Sequence, residues 1–261
     1  MIEHILSLSY GKDSLACLGA IEELGWPLDR VVHAEVWATD TIPADLPPMV
    51  AFKARADEVI RARWGIEVEH IRSKRTYQDH FYAKKTARAV HRPGMIYGWP
   101  FTTSGARCQS GVKLPTLRAL QKSGNVVYIG IAAYEPNRFH NLNAYKKSPL
   151  VEAGWTEAMC REWCEKNGLL SPIYTLATRG GCWFCHNQGV GQLRLLRKSY
   201  PDLWALMLKW DKDSPVTFRS DGHTVHDYDE RFRLEDAGLI RPDERFLWSM
   251  LENGGVNYRL F

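Results

Sequence analysis

Ser9-Tyr10-Gly11-Lys12-Asp13-Ser14 follows an apolar run (Ile5, Leu6, Leu8) and precedes a segment rich in Leu and Ala, so it reads as strand, tight loop and helix start. Such a loop directs backbone N–H groups and the positive end of a helix dipole at one point, where an anionic phosphate is best held. Gly11 lets the backbone approach, Lys12 supplies a mobile cation, and the hydroxyls of Ser9 and Ser14 complete the cradle. The stretch is not a Walker A loop: Leu6 stands where that motif has its first glycine, and Asp13 where it has Ser or Thr. An acid beside phosphates is repulsive unless a divalent cation lies between them, so Asp13 points to Mg²⁺. The plainer alternative is a helix N-terminus capped by Asp13 or Ser14.

Outward from the loop, strand-like and helix-like segments alternate. Residues 5–9, 31–39 and 68–71 read as strands, and 15–24 and 50–64 as helices. That order predicts a parallel sheet with helices on its faces. Asp40 and Thr41 follow the second strand, at the carboxyl end of the sheet where such folds bind ligands. Further on, 114–121 reads as helix and 126–131 as a buried strand, with Glu135 and Arg138 close behind; 156–168 reads as helix. Beyond Pro172 the character changes to a glycine-rich loop, RGGCWFCHNQGVGQ, then a helix from Leu193 into a tryptophan-rich stretch. A boundary near residue 175 therefore divides an α/β domain, 1–175, from a cysteine-bearing helical part, 176–261.

At 261 residues, 45% hydrophobic and 25% charged, the chain has the composition of a soluble globular protein with room for a full core. No apolar run reaches ~18 residues and no signal-peptide pattern opens the chain, so a cytoplasmic protein without membrane contact is expected. The formal charge of +4 allows an anionic ligand or nucleic acid without requiring either.

Six cysteines without an export signal point to metal, redox chemistry or burial rather than disulfides. Cys17 reads as core, and Cys160 and Cys164, four apart, as a buried helix stripe. Cys182 and Cys185 have the CxxC spacing that lets two thiolates hold one metal, and Cys108, set among Arg107, Gln109 and Ser110, is the third candidate. His186 as fourth ligand would complete a zinc site; three cysteines alone would suit an iron–sulfur cluster with one iron open. A reduced CxxC packed beside Trp183 and Phe184 is the alternative without metal.

The loop resembles the pyrophosphatase loop (PP-loop) of the adenine nucleotide alpha hydrolase superfamily, usually SGGKDS, with Tyr10 in place of the first glycine. It is also similar to the loop of phosphoadenylyl-sulfate (PAPS) reductases. In the reductase-like members a cysteine shortly before a Lys and a Pro joins a later CxxC to carry a [4Fe-4S] cluster; Cys108, Lys113, Pro115, Cys182 and Cys185 follow that order, with His186 where relatives often have proline. GIAAYEPNRF, residues 130–139, is similar to the family segment whose acidic residue and arginine face the nucleotide, and SPLVEAGWTEAMC to its Pro-Leu-x-x-x-x-Trp-Thr segment. The resemblance covers most of residues 4–200. It implies a doubly wound, mainly parallel α/β fold, Rossmann-like and of the PP-loop type. It implies nucleotide contacts from Ser9, Tyr10, Gly11, Lys12, Asp13, Ser14, Asp40, Lys113, Gly130 and Glu135, with Lys12, Asp13 and Arg138 catalytic.

The family divides here. One branch adenylates a substrate with ATP and installs sulfur; the other reduces PAPS or adenylyl sulfate (APS) to sulfite, using a cysteine in a C-terminal tail. No cysteine follows Cys185 in this sequence, so unless Cys160 or Cys164 substitutes, the ATP-dependent branch is favoured. A catalytically silent nucleotide-binding module is the third reading, favoured by Tyr10 if its side chain crowds the phosphates. Residues 72–92 interleave Arg72, Lys74, Arg75, Lys84, Lys85, Arg88 and Arg92 with aromatic rings, a mixture suited to phosphate contacts and base stacking. The expected partners are thus an adenine nucleotide, a tRNA or DNA, a sulfur-donor or reductant protein, and a second copy of the chain in a homodimer.

Overall fold

A computed structural model describes residues 2–99, 108–120, 124–135, 142, 145–176 and 180–252. The chain forms two compact units, Met1–Asp79 with Cys108–Trp183, and His80–Arg107 with Phe184–Phe261.

The first unit is built on a five-stranded, all-parallel sheet: β1 (His4–Leu8), β2 (Arg30–Glu35), β3 (Val68–Arg72), β4 (Val126–Tyr128) and β5 (Lys146–Lys147), in the order β3-β2-β1-β4-β5. Strands buried on both faces read as continuous apolar runs, as in Val31, Val32 and Ala34. Helices α1 (Lys12–Leu24) and α2 (Pro47–Trp64) connect β1 to β2 and β2 to β3. Both crossovers step in one direction, so right-handed connections put both helices on one face. There Leu6, Leu8 and Val31 pack with Leu15, Leu18, Phe52 and Ile60. Ile5 and Val32 face the other way, onto Leu117 and Leu120 at helix α3 (Leu114–Arg118) and just after it. The sheet is therefore covered on both faces.

The direction in which successive strands are added to the sheet reverses between β1 and β4, which makes the carboxyl ends of these parallel strands the crevice of the sheet. Helix ends follow local chemistry. Pro47 opens α2 at a position where its missing N–H costs nothing, and Gly25 and Gly65 close α1 and α2 in the left-handed conformation.

Several expected elements differ in length. The strand predicted over 31–39 stops at Glu35, because Trp37 turns to pair with Pro43. The strand over 126–131 stops at Tyr128, and the helix over 114–121 stops at Arg118 after a π-helical turn, Cys108–Lys113. Thr156 caps rather than joins the helix Glu157–Lys166, its hydroxyl accepting Met159 N–H.

The second unit is helical. The single helix predicted from Leu193 is two, Val190–Ser199 and Pro201–Asp213, because Pro201 cannot continue the first and starts the second. With Val225–Asp236 they enclose an aromatic core in which Phe81, Trp99, Phe184 and Phe218 surround or adjoin Trp210. Among the described residues no helix is long and apolar enough to cross a membrane.

Candidate functional site

The Ser9–Ser14 turn joins β1 to α1 at the crevice, as its sequence context predicts. Its shape depends on Ser14, whose hydroxyl accepts the N–H of Ser9 at 3.1 Å and the hydroxyl of Ser9 at 2.9 Å, and donates to the carbonyl of Gly11 at 3.0 Å. Ser14 is buried and braces the loop from within, while Ser9 is exposed at its rim. Across the crevice, Gly130 follows β4 in direct contact with the first turn of α1. A Cβ there would lie 2.6 Å from the Ser14 nitrogen, so no other residue fits without moving backbone.

The left-handed backbone falls on Tyr10 (φ 56°), the position where the resembling motif carries glycine; Gly11 itself has an ordinary extended φ of −75°. A tyrosine in this conformation costs about 1–2 kcal/mol. The cost is offset by burial, since the ring is fully enclosed and its hydroxyl bonds the Asp57 carboxylate and His70 Nε2. His70 in turn reaches Glu35 through Nδ1 at 2.9 Å. Burial first, then the bond to Asp57, pushes the Tyr10 phenol far above its usual range. The side chain therefore points into the fold and leaves the loop's outer surface to the backbone.

Both anion-binding elements of the loop have intramolecular acceptors. The N–H of Lys12 donates to the phenol oxygen of Tyr174 at 3.0 Å. The Lys12 ammonium bonds Asp13 at 2.7 Å and Glu157 at 3.0 Å. Burial alone would lower the Lys12 pKa, but these two carboxylates outweigh it and hold it above the usual value.

A cleft of about 440 Å³ opens beside the loop, a volume typical of small-molecule sites. Ser9, Tyr10, Gly11 and Lys113 contribute to its wall, as do His33, Asp45, Lys53 and Tyr174. Lys53 bonds Asp45 at 2.5 Å and His33 Nε2 at 2.8 Å, while His33 Nδ1 meets the Leu8 carbonyl at 2.9 Å. Burial, then the nearby Lys53 charge, lowers the His33 pKa to about 3 and keeps the ring neutral. Nδ1–H then donates to Leu8, and Nε2 accepts from Lys53.

Asp40 does not line this cleft. The bridge between Trp37 and Pro43 folds it outward onto an exposed turn, and Asp45 takes the inward place. Glu135 closes the turn after β4 by accepting the N–H of Ala132 at 3.0 Å. Arg138 lies outside the described residues.

Cys17, Cys160 and Cys164 are fully buried in the core, as the apolar helix around Cys17 and the four-residue spacing of Cys160 and Cys164 predict. The Cys164 thiol donates to the Lys12 carbonyl at 3.3 Å. Burial pushes the thiols of Cys160 and Cys164 up to about 12, which makes both poor nucleophiles. Cys182 is half-buried in the wall of the cleft, next to Trp183, whose indole and backbone N–H groups donate to the carbonyls of Pro43 and Ala44. In the second unit Cys185 and His186 are half-buried, and the Arg219 guanidinium holds the carbonyls of His186 and Gln188. Cys108 opens the π-helical turn, but its side chain lies outside what the structure describes. Among the described residues no three His, Cys, Asp or Glu side chains are arranged to hold a metal. The described donors thus do not complete a zinc or cluster site. Asp13 and Glu157 do present hard oxygen donors beside the loop, the chemistry Mg²⁺ takes.

Tyr174, Glu157, Lys53 and His33 escape a reading of sequence alone. Only His33 carries a signal, as a polar residue inside the buried run 31–34 of the strand RVVHAE. Comparison with known proteins finds no matching family model and no matching curated sequence.

Proposed function

We propose that the chain is a PP-loop enzyme of the PAPS reductase-like type, which binds ATP in this cleft and acts at its α-phosphate. The observation that carries the reading is the Lys12 N–H, at the start of a 13-residue helix, directed at an acceptor oxygen where the sheet's crevice opens into a ligand-sized cleft. In this reaction an acceptor atom attacks the α-phosphorus, the bond to the bridging oxygen breaks, and pyrophosphate leaves. The Lys12 N–H and ammonium stabilise the charge that develops, and Lys113 adds a second cation from the cleft wall. Asp13, with Glu157, would hold Mg²⁺, which when bound screens the phosphate charges. The leaving-group role of Arg138 rests on the resemblance alone. So does sulfur transfer, for which a cluster on Cys108, Cys182 and Cys185 would be the natural centre, and no step is derived through it.

Two observations weigh against the alternatives. A sulfonucleotide reductase needs a reactive cysteine, and Cys160 and Cys164 are fully buried with raised pKa values. A silent module is favoured only by a Tyr10 side chain that crowds the phosphates, and that side chain lies in the core. The test is pyrophosphate release from ATP·Mg²⁺ with candidate acceptors, comparing the intact protein with Lys12→Ala. Release lost in the variant supports the reading; ATP binding without release under every acceptor supports the silent module.

A further inference from the structure

The stretch from His80 to Trp99 takes no role in the nucleotide site. From His80 to Trp99 the chain has four Lys or Arg and no Asp or Glu, whereas the rest carries 30 Lys or Arg against 30 Asp or Glu. The chain's whole positive excess therefore arises in this segment. It is a hairpin with a short two-stranded antiparallel stem, 83–85 beside 95–97, that follows the helix Tyr77–Tyr82. Gly98 N–H donates to Phe81, Tyr97 N–H to Ala83, and Lys85 N–H to Met95, with Lys84 and Ile96 bridged between them.

The base of the ribbon is fastened within the second unit. The Trp99 indole donates to Asp211 at 2.8 Å, and the Tyr82 hydroxyl donates to Asp213 at 2.6 Å. The tip is free of such anchors to other elements among the described bonds. It turns through Arg92 (φ 52°) and Gly94 (φ 75°), and is braced within itself by Ala89 N–H on the Thr86 carbonyl at 3.0 Å, Gly94 N–H on the Lys85 carbonyl at 3.2 Å and the Lys85 ammonium on the His91 carbonyl at 3.2 Å. Arg88, His91 and Arg92 are exposed there around Val90, which is 88% exposed.

The geometry points to a finger that docks on double-stranded DNA, with Arg88 and Arg92 on phosphates and Val90 against the groove. A two-stranded ribbon has the width the B-form major groove admits. Cations at its rim neutralise phosphates, and a single apolar residue at the tip can meet the thymine methyl groups that line the same groove. An anionic bilayer fits less well, because one valine and the half-exposed Met95 offer little apolar surface to insert.

The test is fluorescence anisotropy of a labelled 20-base-pair DNA duplex with the full chain, from 50 to 200 mM salt. Binding should weaken linearly on logarithmic axes as salt rises. Arg88→Ala with Arg92→Ala should lower affinity at least tenfold and reduce the salt slope by about 2, roughly one for each phosphate no longer neutralised. Val90→Ala should weaken binding with the slope unchanged. Lys12→Ala should bind DNA like the parent, which separates this inference from the nucleotide site. Matching thermal unfolding of the variants secures their fold. No binding at 50 mM salt, an unchanged slope in the arginine variant, or equal binding to duplex RNA or to phosphatidylserine vesicles would overturn it.

Discussion

The two units use charge in opposite ways. In the helical unit, the Glu235 carboxylate is buried between Arg194 and Arg231, and Arg197 bonds both Asp229 and Asp236, so charges bind one another and the aromatic core stays fixed. In the sheet unit, the Lys12 ammonium bonds Asp13 and an exposed Glu157 beside the loop, while its backbone N–H meets a neutral phenol in the cleft wall. In the helical unit, the buried Glu235 pairs are costly to separate, because removing one partner leaves a charge without its counter-ion. The contacts of Lys12 can be exchanged for a ligand that carries more negative charge. The difference separates scaffold from site more clearly than burial does, since Lys12 and Arg194 are both partly covered.

The sharpest break in this comparison should come from Glu235→Ala. Burial raises the Glu235 pKa, but the bonds from Arg194 and Arg231 outweigh that and lower it, and removal leaves Arg231 buried without its carboxylate. A loss of about 3 kcal/mol is expected in urea unfolding, as for other broken buried pairs. The nucleotide affinity of the folded fraction should not change, and a loss below about 0.5 kcal/mol would show that the network is not scaffold.

Gly130→Ala tests the sheet unit. The added methyl meets α1 backbone at under 3 Å and must displace the first turn, for about 1–3 kcal/mol. Unlike Glu235→Ala, it should weaken ATP binding strongly, because the displaced atoms are those of the loop. Wild-type ATP affinity in a destabilised Gly130→Ala protein would uncouple the strand end from the site.

The smallest effect concerns His33. Its folded pKa of about 3 lies below the ordinary 6.5, so the unfolded chain binds the extra proton first as pH falls. The stability that neutral His33 contributes is thus complete above pH 6.5 and declines on acidification, by about 1 kcal/mol per pH unit below that value. His33→Gln can keep both hydrogen bonds and should flatten urea midpoints measured between pH 7 and 5. Equal slopes in the two proteins would mean that the ring is not held neutral.

What was legible in the sequence was local. The β1-loop-α1 context, the alternation of the first half and the buried stripe of Cys160 and Cys164 all follow from spacing within a few residues. Contacts that cross the chain were not legible: Tyr174 reaches Lys12 over 162 residues, and Trp99 reaches Asp211 over 112. Asp40 and Asp45 show a subtler limit. Both follow β2, and only the Trp37–Pro43 bridge decides which one turns inward. Tyr10 shows the same in reverse, since a residue that reads as a defect in a glycine motif is held by Asp57 and His70 from elements far along the chain.

The most direct test of the loop as a phosphate site is calorimetric titration of ATP·Mg²⁺ into the intact protein, Lys12→Ala and Tyr174→Phe. If the loop holds phosphate, Lys12→Ala should lose at least tenfold in affinity. Tyr174→Phe should gain about three- to tenfold, because the phenol oxygen that competes for the Lys12 N–H is gone, a contribution of about one hydrogen bond. Unchanged affinity in both variants, or no binding in any of the three, would contradict the assignment of this loop as the nucleotide site.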